Sequence, residues 1–414
     1  MLGRFLSDFV REGRLTVIWP DGRRNVYGKG GKQAALRFHG RLTPWQIWRR
    51  PELVLGEAYM DGRVTVERGT IADVLEILLS NFSQYRHGNV YRLRRAIRIL
   101  FRRFSQLNRI SRARKNVAHH YDLSGKLYDL FLDADRQYSC AYFSGSKMTL
   151  EDAQMAKKRH IAAKLRLDRP GLKVLDIGSG WGGLALDLAR RDEADVLGVT
   201  LSTEQLAMAN ERADAAGLAQ RCRFALQDYR QVQGTFDRIV SVGMFEHVGA
   251  HYYDAFFTRV RELLAPDGVA LLHTIGRADG PSATNPWIAK YIFPGGYTPA
   301  LSEVMRSIER CGLFAADIEI LRLHYAETLR EWRKRFCRNW DKAAALYDER
   351  FCRMWEFYLA SSEMTFRYGN QVVFQIQLAK RVDTVPMTRD YMIDAERATR
   401  SRNGVPGRRK SQAA

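Results

Sequence analysis

A cysteine set among aromatic residues is the first feature of this sequence that could do chemistry. The stretch "RQYSCAYFSG", residues 136–145, places Cys140 between Tyr138 on one side and Tyr142 and Phe143 on the other. A thiol in this setting can be a nucleophile, a metal ligand, a redox switch or part of an apolar wall. The stretch by itself does not choose among these four roles.

A glycine-rich turn is the second candidate site. In "VLDIGSGWGG", residues 174–183, a buried strand ends near Asp176, and a turn with Gly178 and Gly180 opens a helix. Glycines let the backbone approach a ligand closely, and an acid at the strand end suits a ligand that carries an amino or carboxyl group. Because Gly183 falls at the third glycine of the dinucleotide fingerprint, the spacing does not exclude NAD.

The next two strand ends favour a different cofactor. The second strand ends at Thr200 and Leu201 without the acid that would bind an NAD ribose, which leaves Thr200 and Gln205 for that role. The turn and the order of elements resemble the class I S-adenosylmethionine-dependent methyltransferases. That resemblance implies that the turn holds the methionine part of the cofactor, and that Asp228, followed by Tyr229, faces the adenine.

The elements that must position these residues predict an α/β domain. From about residue 170 onward, strand and helix patterns alternate along the chain. Such alternation predicts a parallel, doubly wound, Rossmann-like sheet that binds ligands at the carboxyl ends of its strands. We assign residues 119–390 to this catalytic domain and residues 391–414, which are basic, to a disordered tail.

A smaller α+β domain, with an accessory or lipid-binding role, is predicted for residues 1–85. The segment 14–28 indicates a β-hairpin with Pro20 and Gly22 in its turn, and the segment 70–81 indicates an amphipathic helix. A chain of 414 residues is also long for one hydrophobic core, which favours two domains.

A strongly basic segment lies between the two domains. Residues 86–115 contain eleven Arg or Lys and no Asp or Glu, and their apolar residues recur every three or four positions. This spacing predicts a basic amphipathic linker helix over residues 86–118. The helix packs its apolar stripe on a domain, binds anionic lipid headgroups, or does both. The net charge of +20 agrees with a polyanionic partner, either a membrane surface or nucleic acid.

Composition limits the remaining classes of protein. No apolar run approaches 18 residues, and the N-terminus lacks the apolar core of a signal peptide, so we expect no membrane span and no secretion. The five cysteines are widely spaced and include no CxxC pair. This spacing predicts free thiols in a reducing cytosol and no metal site.

Five longer stretches closely resemble the bacterial cyclopropane-fatty-acyl-phospholipid synthases, and the resemblance covers nearly the whole chain. They are "HHYDLSGKLYDLFLD" (119–133), "QYSCAYFSG" (137–145), "VGMFEHVG" (242–249), "LLHTIG" (271–276) and "NPWIAKYIFPGGYTP" (285–299). One departure is Ser179 in the glycine turn, where the family often carries cysteine. Because the backbone lines the ligand at this position, the change should be tolerated.

This resemblance implies a reaction and the residues that perform it. The family inserts a methylene group from S-adenosylmethionine across a cis double bond in the acyl chain of a membrane phospholipid. The alkene attacks the sulfonium methyl group, a carbocation forms, and a base removes a proton before the ring closes. The family uses a bound bicarbonate ion as that base. Its holders map to these positions of the chain: Cys140, Glu246, His273, the Ile275 backbone and Tyr325.

The resemblance also gives an interpretation of Cys140. An alkene acceptor needs no acyl-enzyme, and no second thiol lies nearby in the sequence, so Cys140 is interpreted as a wall of the bicarbonate pocket. Tyr138 and Ser139 would touch the cofactor beside it. The surrounding aromatic rings suit a cation, because a ring face attracts positive charge by about 0.5–2 kcal/mol.

Three alternatives stay open. A relative with the same pocket can release a different proton and produce a methyl-branched or methylene-branched acyl chain. An RNA methyltransferase would agree with the basic charge, although the sequence has no RNA-binding module and no N-P-P-Y motif. A lipid-binding protein without activity is the third.

The preferred interpretation also predicts partners and location. We expect anionic membrane phospholipids with unsaturated acyl chains as partners, no nucleic acid, and a homodimer. We expect the protein in the bacterial cytoplasm, attached peripherally to the inner face of the membrane.

Overall fold

Two β-sheets organise the chain. The computed structural model describes residues 2–40, 51–85 and 125–402. Within these ranges the chain forms a four-stranded sheet near the N-terminus and a seven-stranded sheet in the larger domain. The predicted basic helix over residues 86–118 lies outside the described residues, as does the chain beyond residue 402. No helix in the described ranges is long and apolar enough to cross a membrane.

The N-terminal sheet begins with the hairpin that the sequence predicts. Its strands are β1 (Glu12–Ile18), β2 (Arg24–Tyr27), β3 (Lys29–Phe38) and β4 (Val64–Arg68), in the order β2-β1-β3-β4. β1 and β2 pair antiparallel. In the turn between them, Gly22 adopts a φ of 82°, which glycine tolerates best, and its N–H donates to the Trp19 carbonyl. The hairpin prediction is confirmed.

The predicted amphipathic helix is the last helix of this domain. Within residues 2–40 and 51–85 the helices are α1 (Leu2–Phe9), α2 (Pro51–Met60) and α3 (Ile71–Tyr85). A reciprocal cap starts α3. Thr70 Oγ1 accepts from the Asp73 N–H at 3.3 Å, and Asp73 Oδ2 accepts from the Thr70 N–H at 2.8 Å. Its apolar residues Ile71, Val74 and Ile77 are buried, as the spacing predicts.

The larger sheet has a topological switch between two of its central strands. Its strands are β5 (Lys173–Ile177), β6 (Asp195–Thr200), β7 (Cys222–Leu226), β8 (Phe236–Val242), β9 (Leu264–Arg277), β10 (Phe314–Leu321) and β11 (Gln371–Ala379). The order is β10-β11-β9-β8-β5-β6-β7, and β5 to β9 run parallel. The chain leaves β5 towards β6 and returns to β8 on the other side. Open α/β sheets bind ligands at such a point.

The last strand predicted from the sequence, β11, departs from the parallel arrangement of β5 to β9. This strand runs antiparallel to both β9 and β10. Gln371, its first residue, pairs with Arg277, the last residue of β9, so β11 enters the sheet at the carboxyl edge. A buried apolar run has the same composition in either direction, and the sequence pattern therefore could not show the reversal. β10 was not anticipated from the sequence.

Eleven helices of the larger domain surround this sheet in the described ranges. They are α4 (Gly125–Asp129), α5 (Leu150–Leu165), α6 (Gly183–Arg191), α7 (Thr203–Ala215), α8 (Tyr253–Leu263), α9 (Pro286–Tyr291), α10 (Leu301–Arg310), α11 (His324–Arg338), α12 (Trp340–Leu346), α13 (Glu349–Tyr368) and α14 (Asp390–Arg402). α5 matters most for the site, because it packs against β9 and β8.

One apolar core joins the two domains. Residues of α2, α3, α11 and α13 belong to the same buried cluster. At the junction the Tyr59 hydroxyl donates to Glu356 Oε2 at 2.6 Å, and Trp287 Nε1 lies 3.3 Å from Met60 Sδ. The N-terminal domain is therefore packed directly on the helices that adjoin the site.

The prediction of disorder from residue 391 onward is wrong for residues 391–402. These residues belong to α14, which packs against α5. Met392 is buried, and the Tyr391 hydroxyl donates to Gln377 Oε1 at 2.9 Å. The segment is charged and poor in apolar residues, which the sequence analysis took for disorder. Polar partners elsewhere in the fold stabilise it instead.

Candidate active site

A cavity lies at the carboxyl edge of the larger sheet, beside the glycine turn. We call it the strand-edge cavity. All ten residues that the sequence analysis assigned to the cofactor line it: Tyr138, Ser139, Asp176, Gly178, Gly180, Thr200, Leu201, Gln205, Asp228 and Tyr229. They come from four separate segments of the chain. Three of the segments follow β5, β6 and β7, parallel strands that end at one edge, and the fourth, with Tyr138 and Ser139, lies in the loop before α5.

Gly178 and Gly180 have different structural roles in the turn. Gly178 and Gly180 have positive φ angles of 85° and 55°. A Cβ atom on Gly178 would lie 2.8 Å from Met244 Cβ, whereas a Cβ atom on Gly180 would meet no atom within 4 Å. Gly178 therefore lets the turn pack on the loop after β8. Gly180 leaves its space to the strand-edge cavity, which forms a cradle for a ligand.

A carboxyl group and an amine meet at the β5 end of the cavity. Asp176 is buried, and burial raises the pKa of its carboxyl to about 7, partly offset by the charge of Lys157. Lys157 Nζ donates to Gln137 Oε1 at 2.6 Å and to Ser139 Oγ at 2.7 Å. Burial lowers the pKa of Lys157 to about 8. This end of the cavity suits a ligand that carries both an ammonium and a carboxylate.

The sequence analysis missed Lys157, although a signal was present. Ala153, Lys157, Ile161 and Lys164 follow one another at steps of four, four and three along α5, and all four are buried. This spacing places them on one face of the helix. Lysine is almost never fully buried unless it is paired or functional, so a lysine on a core-facing stripe marks a candidate site.

The opposite end of the cavity presents hydroxyl and amide groups. Thr200 Oγ1 donates to Gln205 Oε1 at 2.9 Å, and Ser202 Oγ caps α7 by accepting from the Gln205 N–H at 3.3 Å. Thr200 and Gln205 are both buried. The cap fixes the Gln205 side chain close to the end of β6, where neutral polar atoms can bind sugar hydroxyl groups.

Asp228 is already paired with a residue that the sequence analysis did not name. Arg230 donates to Asp228 Oδ1 from Nε at 2.8 Å and to Oδ2 from Nη2 at 2.6 Å. Asp228 is 2% exposed, and Arg230 also lines the strand-edge cavity. The guanidinium balances the buried carboxylate, so this end of the cavity carries little net charge.

The residues that the resemblance assigned to catalysis are Cys140, Glu246, His273, Ile275 and Tyr325. We call them the five-residue group. Glu246 and Ile275 are in direct contact, because the Ile275 N–H donates to Glu246 Oε1 at 2.6 Å. Glu246 Oε2 is buried and has no hydrogen-bond partner in the described part of the chain. Burial raises the pKa of Glu246 to about 7, against the effect of the backbone N–H groups and of the nearby Thr274 hydroxyl.

His273 lies two residues before Ile275 in β9. It is buried, and its Nδ1 lies 3.0 Å from Gln375 Nε2 of β11. Burial holds the pKa of His273 well below its usual range, and the charges of Lys157 and Lys164 lower it further. The imidazole is therefore neutral at physiological pH. It makes no hydrogen bond to the other four members of the group.

Cys140 and Tyr325 both lie near the start of α11 and belong to the same apolar cluster. The Ala141 N–H, next to Cys140, donates to Thr328 Oγ1 at 3.0 Å, and Thr328 follows Tyr325 by one turn of this helix. Burial raises the pKa of the Cys140 thiol far above its usual value, so the side chain stays a neutral thiol. Ile275 packs against the apolar cluster that contains both residues.

An aromatic wall lies beside Tyr325, one member of the five-residue group. The Tyr138 ring stacks on Trp332 with centroids 5.1 Å apart, and the Tyr325 ring meets the edge of the same Trp332 at 5.8 Å. The Tyr138 hydroxyl lies 2.9 Å from that of Tyr358. Trp332 is completely buried. Such a wall excludes water and presents ring faces to a positive charge.

The five-residue group adjoins the strand-edge cavity without lining it. Ser139 and His247 line the cavity, and each is the chain neighbour of a group member, Cys140 and Glu246 respectively. Burial lowers the pKa of His247 to about 4, so this side chain is also neutral. A ligand in the cavity and a second reactant at the group would therefore be close to each other in a dry environment.

Comparison with known proteins places this arrangement in a family. The profile described as "Mycolic acid cyclopropane synthetase" matches residues 108–376, well over half of the chain. The chain belongs to this family. Residues 4–89 match a second family, described as a domain of unknown function.

Several relatives are similar over most of their length. The cyclopropane-fatty-acyl-phospholipid synthase of Escherichia coli is 39% identical over 363 residues, which cover 87% of this chain and 92% of that protein. The tuberculostearic acid methyltransferase UfaA1 of Mycobacterium tuberculosis is 37% identical, covering 88% of each chain. The crystal structure of the mycolic acid cyclopropane synthase CmaA1 with SAH and CTAB superposes with a TM-score of 0.60 at 35% identity. It covers 64% of this chain and 97% of that one.

The comparisons confirm the fold and the family resemblance. The larger domain has the class I methyltransferase fold, and this member of the family is an S-adenosylmethionine-dependent methyltransferase. The functions of the individual site residues remain proposals.

Proposed function

We propose that this protein transfers a methylene group from S-adenosylmethionine to the cis double bond of an unsaturated acyl chain in a membrane phospholipid, and so forms a cyclopropane ring. The observation that carries the proposal is the position of the five-residue group directly beside the strand-edge cavity, with Cys140, His273 and Tyr325 buried and Glu246 and Ile275 half-buried. The Escherichia coli relative, whose name gives a phospholipid substrate, supports the choice of acceptor.

The strand-edge cavity fits S-adenosylmethionine. Asp176 and Lys157 offer a carboxylate and an ammonium to the charged ends of the methionine part, and the cradle at Gly180 accepts its chain. Thr200 and Gln205 offer neutral polar atoms to the ribose. The CmaA1 structure holds SAH, the form that remains after methyl transfer. When bound, S-adenosylmethionine supplies an electrophilic methyl group on a positively charged sulphur.

The surroundings of the five-residue group suit a cation on the acyl chain. An alkene that attacks a methyl group becomes a carbocation, which water or a thiolate would trap. The aromatic wall excludes water and offers ring faces, each worth about 0.5–2 kcal/mol to a positive charge. Because burial raises the pKa of Cys140, its thiol is protonated and less nucleophilic than a thiolate.

The five-residue group also fits a bicarbonate ion. Glu246 Oε2 is a buried polar atom that lacks a partner among the described residues, and a bicarbonate hydroxyl would satisfy it. His273 is neutral and can donate one ring N–H. The Ile275 N–H already holds Glu246, which assigns it to orienting this side chain. When bound, bicarbonate would supply the base that removes the proton.

A methyl-branched or methylene-branched product is the alternative. It is favoured by the similarity to the tuberculostearic acid methyltransferase, which at 37% identity is nearly as close as the synthase. Both products require the same methyl transfer. They differ in the proton that leaves the cation: loss of another proton gives a methyl-branched or methylene-branched chain that keeps a double bond, whereas a saturated methyl branch would also need a hydride donor.

The proposed acceptor implies attachment to a membrane. The net charge of +20 and the basic segment 86–118 support binding to anionic phospholipids on the inner face of the bacterial membrane. On this basis we propose a cytoplasmic, peripheral protein. The homodimer stays a prediction, which sedimentation would check.

Product analysis tests the proposal. The purified protein is incubated with S-adenosylmethionine and vesicles of phosphatidylglycerol with monounsaturated acyl chains, and the acyl chains are analysed by mass spectrometry and proton NMR. We expect a gain of one CH2, loss of the alkene signals and appearance of cyclopropane protons. A gain of CH2 with retained alkene signals, accompanied by methyl-branch or exocyclic methylene signals, would establish the alternative. No gain of mass would refute both.

A further inference from the structure

A series of buried and partly buried polar side chains extends from His273 across β11 and β10 and has no role in the proposed function. Its members are Gln375 of β11, Lys164 of α5, Glu319 of β10, His160 of α5 and Glu396 of α14. We call it the Lys164 network. Gln375 is completely buried and Lys164 is 1% exposed, so each hydrogen bond here affects the stability of the fold.

The first two links of the network determine the state of the His273 ring. His273 and Gln375 are paired residues of β9 and β11, so their side chains lie on the same face of the sheet. Gln375 Oε1 lies 2.8 Å from Lys164 Nζ, and Gln375 Nε2 lies 3.0 Å from His273 Nδ1. The amide thus connects the lysine to the imidazole.

The chemistry of these groups fixes the direction of both hydrogen bonds. A lysine ammonium only donates, so the oxygen of the Gln375 amide must face Lys164. The NH2 group of the amide then faces His273 and donates to Nδ1. A ring nitrogen that accepts carries no proton, and the single proton of a neutral imidazole must therefore be on Nε2.

The rest of the network keeps Lys164 charged and in place. Glu319 Oε2 accepts from Lys164 Nζ and lies 2.6 Å from His160 Nε2, and His160 Nδ1 contacts Glu396 of α14. Burial would raise the pKa of Glu319, but the hydrogen bond from His160 and the charge of Lys164 lower it to about 2. The helix α14 thus closes the network at its far end.

We propose that the Lys164 network fixes His273 in the tautomer that carries its proton on Nε2, so that the ring offers a hydrogen-bond donor at the five-residue group. Nε2 makes no hydrogen bond to the residues that the structure describes. A donor at this atom suits an anion, which rests on the proposed function and its bicarbonate ion. Gln375 and Lys164 are positioning residues, since they act through His273.

NMR of the ring nitrogens tests the tautomer without cofactor or lipid. The full-length protein is labelled with 15N in its histidines, and the His273→Asn variant identifies the His273 signals. We expect a protonated Nε2 and an unprotonated Nδ1 in the wild type. In Gln375→Glu an acceptor replaces the donor opposite Nδ1, so the proton should move to Nδ1. Lys164→Met frees the amide to turn over, and a mixture of tautomers is expected.

Measuring turnover in the same variants tests whether the His273 tautomer matters for the reaction. Loss of one preorganised donor typically lowers turnover by about 10²–10³-fold, and we expect a fall of this size in Gln375→Glu with unchanged affinity for S-adenosylhomocysteine. Gln377→Glu is the matched control. Gln377 is equally buried and lies two residues further along the same strand. It contacts the Lys164 carbonyl and Tyr391, not His273. The control should retain the wild-type tautomer and most of its turnover per folded protein.

The two proposals fail in different ways. The inference would be overturned if the wild-type His273 carried its proton on Nδ1. It would also be overturned if the proton stayed on Nε2 in Gln375→Glu, or if this variant had the turnover of the wild type. A wild type that converts no unsaturated lipid would overturn the proposed function, while the tautomer would still be read from the ring nitrogens.

Discussion

Two buried lysines on one face of α5 have different surroundings. Lys157, at the strand-edge cavity, donates to the neutral oxygens of Gln137 and Ser139 and forms no ion pair within the described residues. Lys164, seven residues later, donates to the Glu319 carboxylate and to Gln375. Both side chains are almost completely buried.

The difference separates a binding region from a positioning region. A buried cation with neutral partners destabilises the empty protein, but its charge remains available to an anionic ligand. A buried cation paired with a carboxylate is neutralised within the fold and holds its neighbours in fixed positions. On this basis the strand-edge cavity binds the cofactor, and the Lys164 network orients the five-residue group.

The largest effect is expected where the two regions meet, at Glu246. Glu246→Gln removes a carboxylate from the five-residue group and leaves the strand-edge cavity intact. Loss of general-base assistance typically lowers turnover by about 10²–10⁴-fold, and we expect a fall in this range. Calorimetry should give an unchanged affinity for S-adenosylhomocysteine. Adding bicarbonate should stimulate a bicarbonate-depleted wild type and restore little activity in the variant.

A control for this variant is Glu356→Gln, which alters a carboxylate at the domain junction, where it accepts from Tyr59. It should keep turnover near the wild-type value in folded protein. If Glu246→Gln weakened cofactor binding as much as turnover, the division between binding and positioning regions would be incorrect.

The second effect is a loss of stability, which tests whether Lys164 depends on its paired carboxylate, Glu319. Glu319→Gln leaves two buried basic groups without their shared carboxylate, and breaking a buried ion pair costs about 3–5 kcal/mol. We expect the free energy of unfolding in urea at pH 6 to fall by about 3 kcal/mol. Because the pKa of Glu319 is lowered to about 2, its contribution is complete above its unfolded value near 4.5 and is lost as pH falls towards 2.

The control is an ion pair on the surface. Asp254→Asn removes a partner of Arg310, an ion pair of 2.6 Å whose two side chains are both about half exposed, and exposed pairs contribute about 1 kcal/mol or less. Equal losses of stability in the two variants would mean that the Lys164 network is no more important than a surface pair.

The smallest effect tests whether Lys157 binds the cofactor. Lys157→Met removes a charge-assisted hydrogen bond to the carboxylate of the ligand, which is worth about 1.5–3 kcal/mol, or roughly 10–100-fold in affinity. The pKa of Lys157 is lowered to about 8, so the wild-type affinity should decrease as pH rises through about 8. Calorimetry with S-adenosylhomocysteine should find no such decrease in the variant. Lys164→Met, which changes the other buried lysine of α5, should retain this pH dependence of affinity. If the affinity of Lys164→Met did not depend on pH, Lys157 would not be the group that binds the ligand.

The sequence by itself determined the features that depend on short stretches of chain. The hairpin, the start of α3 and the alternation of elements follow from patterns of apolar residues, glycines and caps. The glycine turn comes directly after β5, and the other cofactor segments lie at the ends of β6 and β7. The alternation of strands and helices predicts that these three strands run parallel. Parallel strands must end at one edge, so eight of the ten cofactor residues could be predicted to lie together. Tyr138 and Ser139 precede α5 and follow no strand of this sheet, and they were assigned from the family resemblance.

Only the tertiary structure decided what happens between elements that are distant in the sequence. β11 reverses direction because α13 ends at the carboxyl edge, and residues 391–402 form a helix because Glu396 meets His160, 236 residues away. Nothing near Gln375 or Lys164 in the sequence marks them as positioning residues. Their contacts exist only because β11 pairs with β9 and α5 packs on these strands. A tautomer is set by hydrogen bonds across a sheet, and local spacing does not encode such contacts.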